Sequence, residues 1–415
     1  MNLRPTAIIL ATLLVTVEGE VAPSAQAAST AAPAPAGVEA TSPIAFYLAK
    51  GDANACGPGC SQWIVAEGRI NTGAAERLRR LLAKLGHAKP PIFFHSPGGL
   101  ISEGLEIGRT IREQKLEASV AHTVPIACLG DKAASKSCEA QKVSGQAVEA
   151  IFDPLIAMCN SSCVHALAGG IVRLVPPGVK LGIHDVGFDP AHAEQPKAVL
   201  AQSKRLAHER IEEYLHDMGI DQGLYRAALA VPYESKRFLD RDELVRFGID
   251  RREFGEAPWE LVEKPAPFLV KRFFARTGND QARYIEGFVA FNCGTFGEVR
   301  LTLGRQQNAA VANADISAEL SVNVSEQRID LGYRTSTQEY DLSSSSLRLA
   351  TVALLADNGV TLRLSGTDLA RADDAKGITL DMHGFSDPLD KLRKSCDAVA
   401  NAMTGASLPA SFPNR

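Results

Sequence analysis

Strand and helix signals alternate from residue 63 to about residue 250 and then give way to short strands, and no other feature constrains the fold as much. WIVAEGRI has strand character, AAERLRRLLAKLG places Leu78, Leu81, Leu82 and Leu85 on one side of a helix, and PPIFFHS reads as a buried strand. After the Gly98–Gly99 pair, Ile101, Leu105, Ile107 and Ile111 recur at helical spacing, and ASVA restores strand character. Alternation of this kind predicts parallel βαβ units.

Residues 126–158 interrupt the pattern with a polar stretch between Cys128 and Cys138, which reads as a decorative loop that a disulfide can close. The strand EAIFDPLIAM then gives way to a helix of small residues, and KAVLAQSKRLAHERIEEYLHDMGI, GLYRAALA and RFLDRDELVRFGID supply later helical segments. Composition changes near residue 265. From 275 to 415 the runs GFVAFNCG, EVRLTLG, ISAELSVNV, QRIDLGYRT, SLRLATVAL, VTLRLSG and GITLDMHG alternate between turn residues and predict a small antiparallel β-sandwich-like domain. A last helix, DPLDKLRKSCDAVANAM, docks on it through Leu389, Leu392 and Cys396.

The N-terminus, MNLRPTAIILATLLVTV, carries one Arg and an apolar run too short to span a bilayer, which suits a signal peptide cleaved after Ala27. Residues 28–43 are an Ala/Pro-rich linker, and the α/β domain is expected over 44–264. An exported chain is periplasmic or secreted, with no stable membrane span once the signal is removed. A net charge of −4 without a Lys/Arg cluster gives no footprint for nucleic acid.

Eight cysteines behind an export signal favour disulfides over metal ligands. They fall as near neighbours, Cys56 with Cys60, Cys128 with Cys138 and Cys159 with Cys163, which leaves Cys293 with Cys396. The histidines are not spaced with them as zinc ligands, so neither a metal nor another cofactor is expected.

The segment Cys159-Asn160-Ser161-Ser162-Cys163 stands where a strand passes into a helix, a place that exposes a side chain beside free backbone N–H groups. A serine hydroxyl becomes a nucleophile only when a base takes its proton and preorganised donors meet the oxyanion. His184, after the apolar strand of LGIH, is a candidate base, and His165, one helical turn past Ser161, competes with it. Ser162 is an alternative nucleophile. Ser161 can equally be a helix N-cap, and the Gly98–Gly99 pair can be only a turn.

HSPGG followed by a helix, SSCVHALAGG, LGIH and RFLDRDELVRFGID, in that order, resemble the Clp/crotonase superfamily. The likeness is to the Clp protease proteolytic subunit and, most of all, to uncharacterised periplasmic proteins of proteobacteria, and it runs from about Trp63 to Arg252. It implies a ββα spiral domain, a nucleophile at Ser161, a base at His184 and an oxyanion hole from Gly98, Gly99 and Ser162. It also implies a homo-oligomer, with the helix from Pro196 to Met218 as a contact arm. Lys236 occupies the family's acid position, so Glu234 is expected to orient His184, ahead of Asp240 and of Asp185, whose side chain should face the opposite side of the strand.

Two functions follow. One is an exported serine hydrolase or peptidase acting on a peptide or small acyl substrate. The other, suggested by Lys236 and the long insertion, is a catalytically degenerate scaffold that binds a partner in the cell envelope.

Overall fold

In the computed structural model, residues 42–405 are described apart from 58, 130–135, 154–156, 189–194, 264–265, 277–283, 295–297, 307–315, 323–332, 337–339, 348–351, 354, 356–359 and 367–377. The expected signal peptide and almost all of the linker lie outside them. Among the described residues no helix is long and apolar enough to cross a membrane.

The first part is mixed α/β. Strands β1 (Ala45–Lys50), β2 (Gln62–Glu67), β3 (Ile92–His95), β4 (Ala118–Val120), β5 (His122–Pro125), β6 (Val148–Asp153) and β8 (Arg173–Leu174) form one sheet in the order β5-β6-β1-β2-β3-β4-β8. Strands β7 (Met158–Asn160), β9 (Lys180–Ile183) and β10 (Arg237–Phe238) form a second, ordered β10-β9-β7. The run EAIFDPLIAM is therefore not one strand. Its β6 half pairs with β1 and β5, and its β7 half belongs to the small sheet.

Helices α1 (Ala74–Leu85) and α2 (Ile101–Glu113) pack their apolar faces on the large sheet, burying Leu78, Leu82, Leu105, Ile107 and Ile111. The Glu103 carboxylate of α2 accepts hydrogen bonds from the N–H groups of Gly73 and Ala75 at 2.8 and 2.9 Å, so α2 caps α1. Helix α3 (Lys136–Lys142) corrects the reading of 126–158 as decoration: Lys142 is buried against Glu67 of β2, 2.5 Å away. A buried charge stays only where a partner meets it.

Short α4 (Ser162–Ala168) crosses α2 where Gly104, Gly108 and Gly169 bring the two backbones together; a Cβ at Gly104 would lie 2.6 Å from the Ser162 carbonyl oxygen. Helices α5 (Lys197–Asp217), α6 (Gly223–Leu229) and α7 (Arg241–Arg246) complete this part.

The C-terminal part is antiparallel. Strands β11 (Phe254–Glu256), β12 (Glu260–Val262), β13 (Phe268–Arg276), β14 (Tyr284–Cys293) and β15 (Val299–Gln306) join β17 (Tyr333–Ser336) and β18 (Tyr340–Leu347) in one sheet. Strands β16 (Ile316–Val322), β19 (Val360–Gly366) and β20 (Ile378–Leu380) form another, and the helix Ser386–Gly405 adds Leu389, Leu392 and Cys396 to their shared core. Pairing here begins at Phe254, before the boundary expected at 264. Of the strand expected over SLRLATVAL, Ser346 and Leu347 close β18, and 348–351 and 354 lie outside the described residues.

All eight cysteines are bridged as their spacing suggests: Cys56–Cys60, Cys128–Cys138, Cys159–Cys163 and Cys293–Cys396. The last ties β14 to the C-terminal helix.

Candidate active site

Two parallel strands end side by side at the site. Asn160 of β7 is level with Gly182 of β9, and the Ser161 N–H donates to the Gly182 carbonyl at 2.7 Å, so Ser161 and His184 leave adjacent strands at the same end. Neighbouring strands run about 4.8 Å apart, so the register alone brings the two residues close. Ser96 bridges the large sheet to β7, donating to the Met158 carbonyl at 2.9 Å and accepting from the Asn160 N–H at 3.0 Å. The segment Ser96–Gly99 is thereby laid along the turn that carries Ser161.

Gly98 (φ 98°) and Gly99 (φ 147°) hold backbone conformations that side chains disfavour. Space excludes a side chain at Gly98 as well: a Cβ would lie 2.5 Å from the Asn160 carbonyl oxygen and 2.7 Å from Ser161 Cβ.

Ser161 has φ 55° and ψ −125°, and its side chain makes no capping hydrogen bond. A helix N-cap is extended and bonds the second or third N–H of its helix, so Ser161 does not act as one. A non-glycine residue in this conformation persists only where its surroundings hold it. Here the holding contacts are the Gly182 carbonyl and the buried Cys159–Cys163 bridge on either side of the turn. Ser162 points the other way, buried against Gly104 of α2 with its Oγ unpartnered. Among the described residues no hydrogen bond takes up the N–H of Gly99 or of Ser162.

Ser161, Gly99, His165 and His184 line one cavity of about 410 Å³, whose other walls include Val164, Ile183, Ile211, Leu224 and Leu229. That volume suits a small ligand, and the walls favour an apolar one. No hydrogen bond joins Ser161 Oγ to His184 among the described residues, as is common before substrate tightens a site.

His184 Nδ1 lies 2.7 Å from the backbone carbonyl oxygen of Asp185. A carbonyl only accepts, so Nδ1 carries the proton and Nε2 is left as the basic nitrogen. The Tyr233 ring meets the imidazole edge-on at 5.3 Å. His165 differs: its ring reaches the cavity but is packed round by protein, and this desolvation, against the Ser161 carbonyl and with the His184 charge, pushes its pKa down to about 4. Its Nδ1 is buried without a partner.

Among the described residues no hydrogen bond joins His184 to the expected orienting acid. Glu234 is exposed in a turn and makes no hydrogen bond among the described residues. Asp240 caps α7, its carboxylate accepting from the Glu243 N–H at 2.8 Å. Lys236 lays its stem over Gly182, one residue beyond the Arg237–Ile183 pair and so opposite His184. The Asp185 carboxylate turns to Lys204 and His208 instead. Sequence reasoning missed Tyr225 and His208, because they lie on helices that no motif connects to the serine.

No family model matches this chain, and neither does any curated protein. Among solved structures, a mutant of ClpP1 from Listeria monocytogenes is similar at 15% identity and a TM-score of 0.29, over 44% of this chain and 85% of that one. At that level of likeness, any functional reading rests on the geometry of the site.

Proposed function

We propose that the chain is an exported serine hydrolase that cleaves a peptide or other acyl bond on a Clp/crotonase-like scaffold. The observation that carries this reading is Ser161: strained, uncapped, facing an apolar cavity and flanked by two unspent N–H groups. Strain of this kind at a cavity wall is a mark of function when the surroundings enforce it.

Ser161 Oγ attacks the acyl carbonyl while His184 Nε2 takes its proton. The carbonyl oxygen, now anionic, receives the N–H groups of Gly99 and Ser162, with Gly98 allowing the close approach. Collapse breaks the bond to the leaving group, which takes the proton from His184, and water then releases the acyl group by the same steps. The Asp185 carbonyl holds the tautomer, the part an acid plays in a triad, but it stabilises the imidazolium less than a carboxylate does. Four disulfides suit an oxidising compartment.

Hydrolysis of p-nitrophenyl octanoate tests the reading. Wild type is expected to turn it over with a burst, and Ser161→Ala and His184→Ala to lose the burst while keeping their far-UV circular dichroism. Unchanged turnover in Ser161→Ala would remove the serine from the chemistry.

That no carboxylate among the described residues hydrogen-bonds His184, with Lys236 opposite it, supports a second reading as an envelope binding scaffold. It predicts no turnover and a stoichiometric partner retained by Ser161→Ala in a pull-down.

A further inference from the structure

Across the cavity from the serine turn lies a polar chain that the reaction described above does not use. Asp185 follows His184, but its carboxylate turns away, receiving Lys204 Nζ at 2.6 Å on Oδ2 and lying 3.1 Å from His208 Nε2 on Oδ1. His208 Nδ1 lies 2.9 Å from the Tyr225 hydroxyl, with the two rings edge-to-face at 5.7 Å. Both ends of the chain, Asp185 and Tyr225, line the same cavity as Ser161, and α5 and α6 supply His208 and Tyr225.

The direction of the His208–Tyr225 hydrogen bond follows from the charge beside the ring. Asp185 Oδ1 accepts the Val186 N–H at 2.7 Å and lies 3.1 Å from His208 Nε2 without a hydrogen bond to it, but its negative charge favours the ring proton on Nε2 over a bare lone pair, which leaves Nδ1 as an acceptor. Tyr225 must then donate its only hydrogen to Nδ1, and its oxygen has lone pairs left but no proton to give. Burial, with the charges of Glu212 and Asp185, raises the Tyr225 pKa above the ordinary phenol value, so the group stays an intact phenol at mildly alkaline pH. The surrounding wall is apolar, through Val164, Ile183, Ile211 and Leu224. An N–H brought into such a wall loses its water and needs a new acceptor.

We propose that Tyr225, set by His208 and Asp185, is a hydrogen-bond-accepting subsite for an N–H group of the acyl substrate, so that the cavity selects amides over esters of the same shape. This deepens the hydrolase reading and rests on it for the word substrate, but the selectivity itself is a property of binding. Tyr225 is a specificity residue, and His208 and Asp185 position it.

The test uses the Ser161→Ala chain at pH 8, where an ordinary imidazole is neutral, and two probes that differ only in N–H against O: N-methyloctanamide and methyl octanoate. Binding of each is followed by NMR titration in Ser161→Ala and in Ser161→Ala combined with Tyr225→Phe or with His208→Ala. The expected result is a preference for the amide that falls roughly five- to tenfold when the Tyr225 hydroxyl is removed, the size of one neutral hydrogen bond, and falls part of the way with His208→Ala. An amide-to-ester ratio identical with and without the hydroxyl overturns the proposal, as does binding of neither probe.

Fluorophosphonate labelling of the intact Ser161 chain separates the two claims. Selective binding without labelling keeps the subsite and discards the hydrolase, and labelling without selectivity does the reverse.

Discussion

The turn at Ser161 and the segment from Asp240 to Arg252 handle their polar groups in opposite ways. At Ser161 the backbone is strained, the side chain is uncapped and two N–H groups are unspent. In the other segment most polar groups are paired: Asp240 and Glu243 form a reciprocal cap, and Arg241 reaches Asp250 at 3.0 Å and the Val175 carbonyl at 2.7 Å while lying 3.6 Å over the Phe274 ring, with only its Nε left to an ion pair with Glu286 at 3.5 Å. Asp250 also receives the Val175 N–H and Arg252. Both stretches stand out in the sequence, yet only the first keeps groups available for a ligand. A network whose groups are mostly spent on one another specifies structure, and an unspent one held in place is suited to chemistry.

The largest effect should come from breaking the paired side. Asp250→Ala takes from Arg241, only 3% exposed, the carboxylate it hydrogen-bonds and leaves it the longer contact to Glu286 at 3.5 Å, and should cost roughly 3 kcal/mol in a urea melt without changing the labelling rate of molecules that stay folded. Burial alone would raise the Asp250 pKa, but Arg252, the Val175 N–H and Arg241 hold it below the usual carboxylate range. The stability it contributes is therefore complete above its unfolded value and should fade as the medium becomes more acidic than that.

Gly98→Ala comes next. The new methyl meets Asn160 and Ser161, so stability should fall by roughly 1–3 kcal/mol, and labelling of Ser161 should slow at least tenfold. Full labelling would mean that the Gly98 turn does not shape the site.

Ser161→Gly sharpens the comparison from the other side. Glycine adopts φ 55° freely, so this variant should be up to about 1 kcal/mol more stable in the same melt and chemically dead. A clear loss of stability would mean that the serine was structural.

The smallest effect concerns His165. Its folded pKa of about 4 lies below its unfolded value, so the unfolded chain binds the proton first. Stability should be complete above about pH 6.5 and decline as pH falls toward 4. His165→Asn should flatten that part of the profile of Tm against pH.

What the sequence disclosed follows the range of the forces involved. Cysteine spacing was enough for the pairing because three bridges close short loops, and elimination assigned the fourth. The motif order brought Gly99, Ser161 and His184 to attention, and the three line one cavity. Strand β13 escaped because Lys271 interrupts its apolar run; that lysine is buried, 3.3 Å from Glu256 and over the Trp259 ring. Strand β18 escaped because four consecutive serines read as a turn, although their N–H and C=O groups serve a sheet as well as any others. Glu234 drew attention by proximity in sequence, but the backbone carbonyl of Asp185 met the His184 ring instead, a partner that no residue type announces. His208 and Tyr225 come together only when α5 and α6 pack.

The central claim is that Ser161 is an activated nucleophile, and covalent labelling tests it most directly. The oxidised protein and its Ser161→Ala, Ser162→Ala and His184→Ala variants are treated with an alkyl fluorophosphonate, and the intact mass and the modified peptide are read. One adduct on Ser161 in wild type and in Ser162→Ala, absent from Ser161→Ala and lost or greatly slowed in His184→Ala, is the predicted result. A folded wild-type chain that takes up no probe, or an adduct that survives Ser161→Ala, would contradict it.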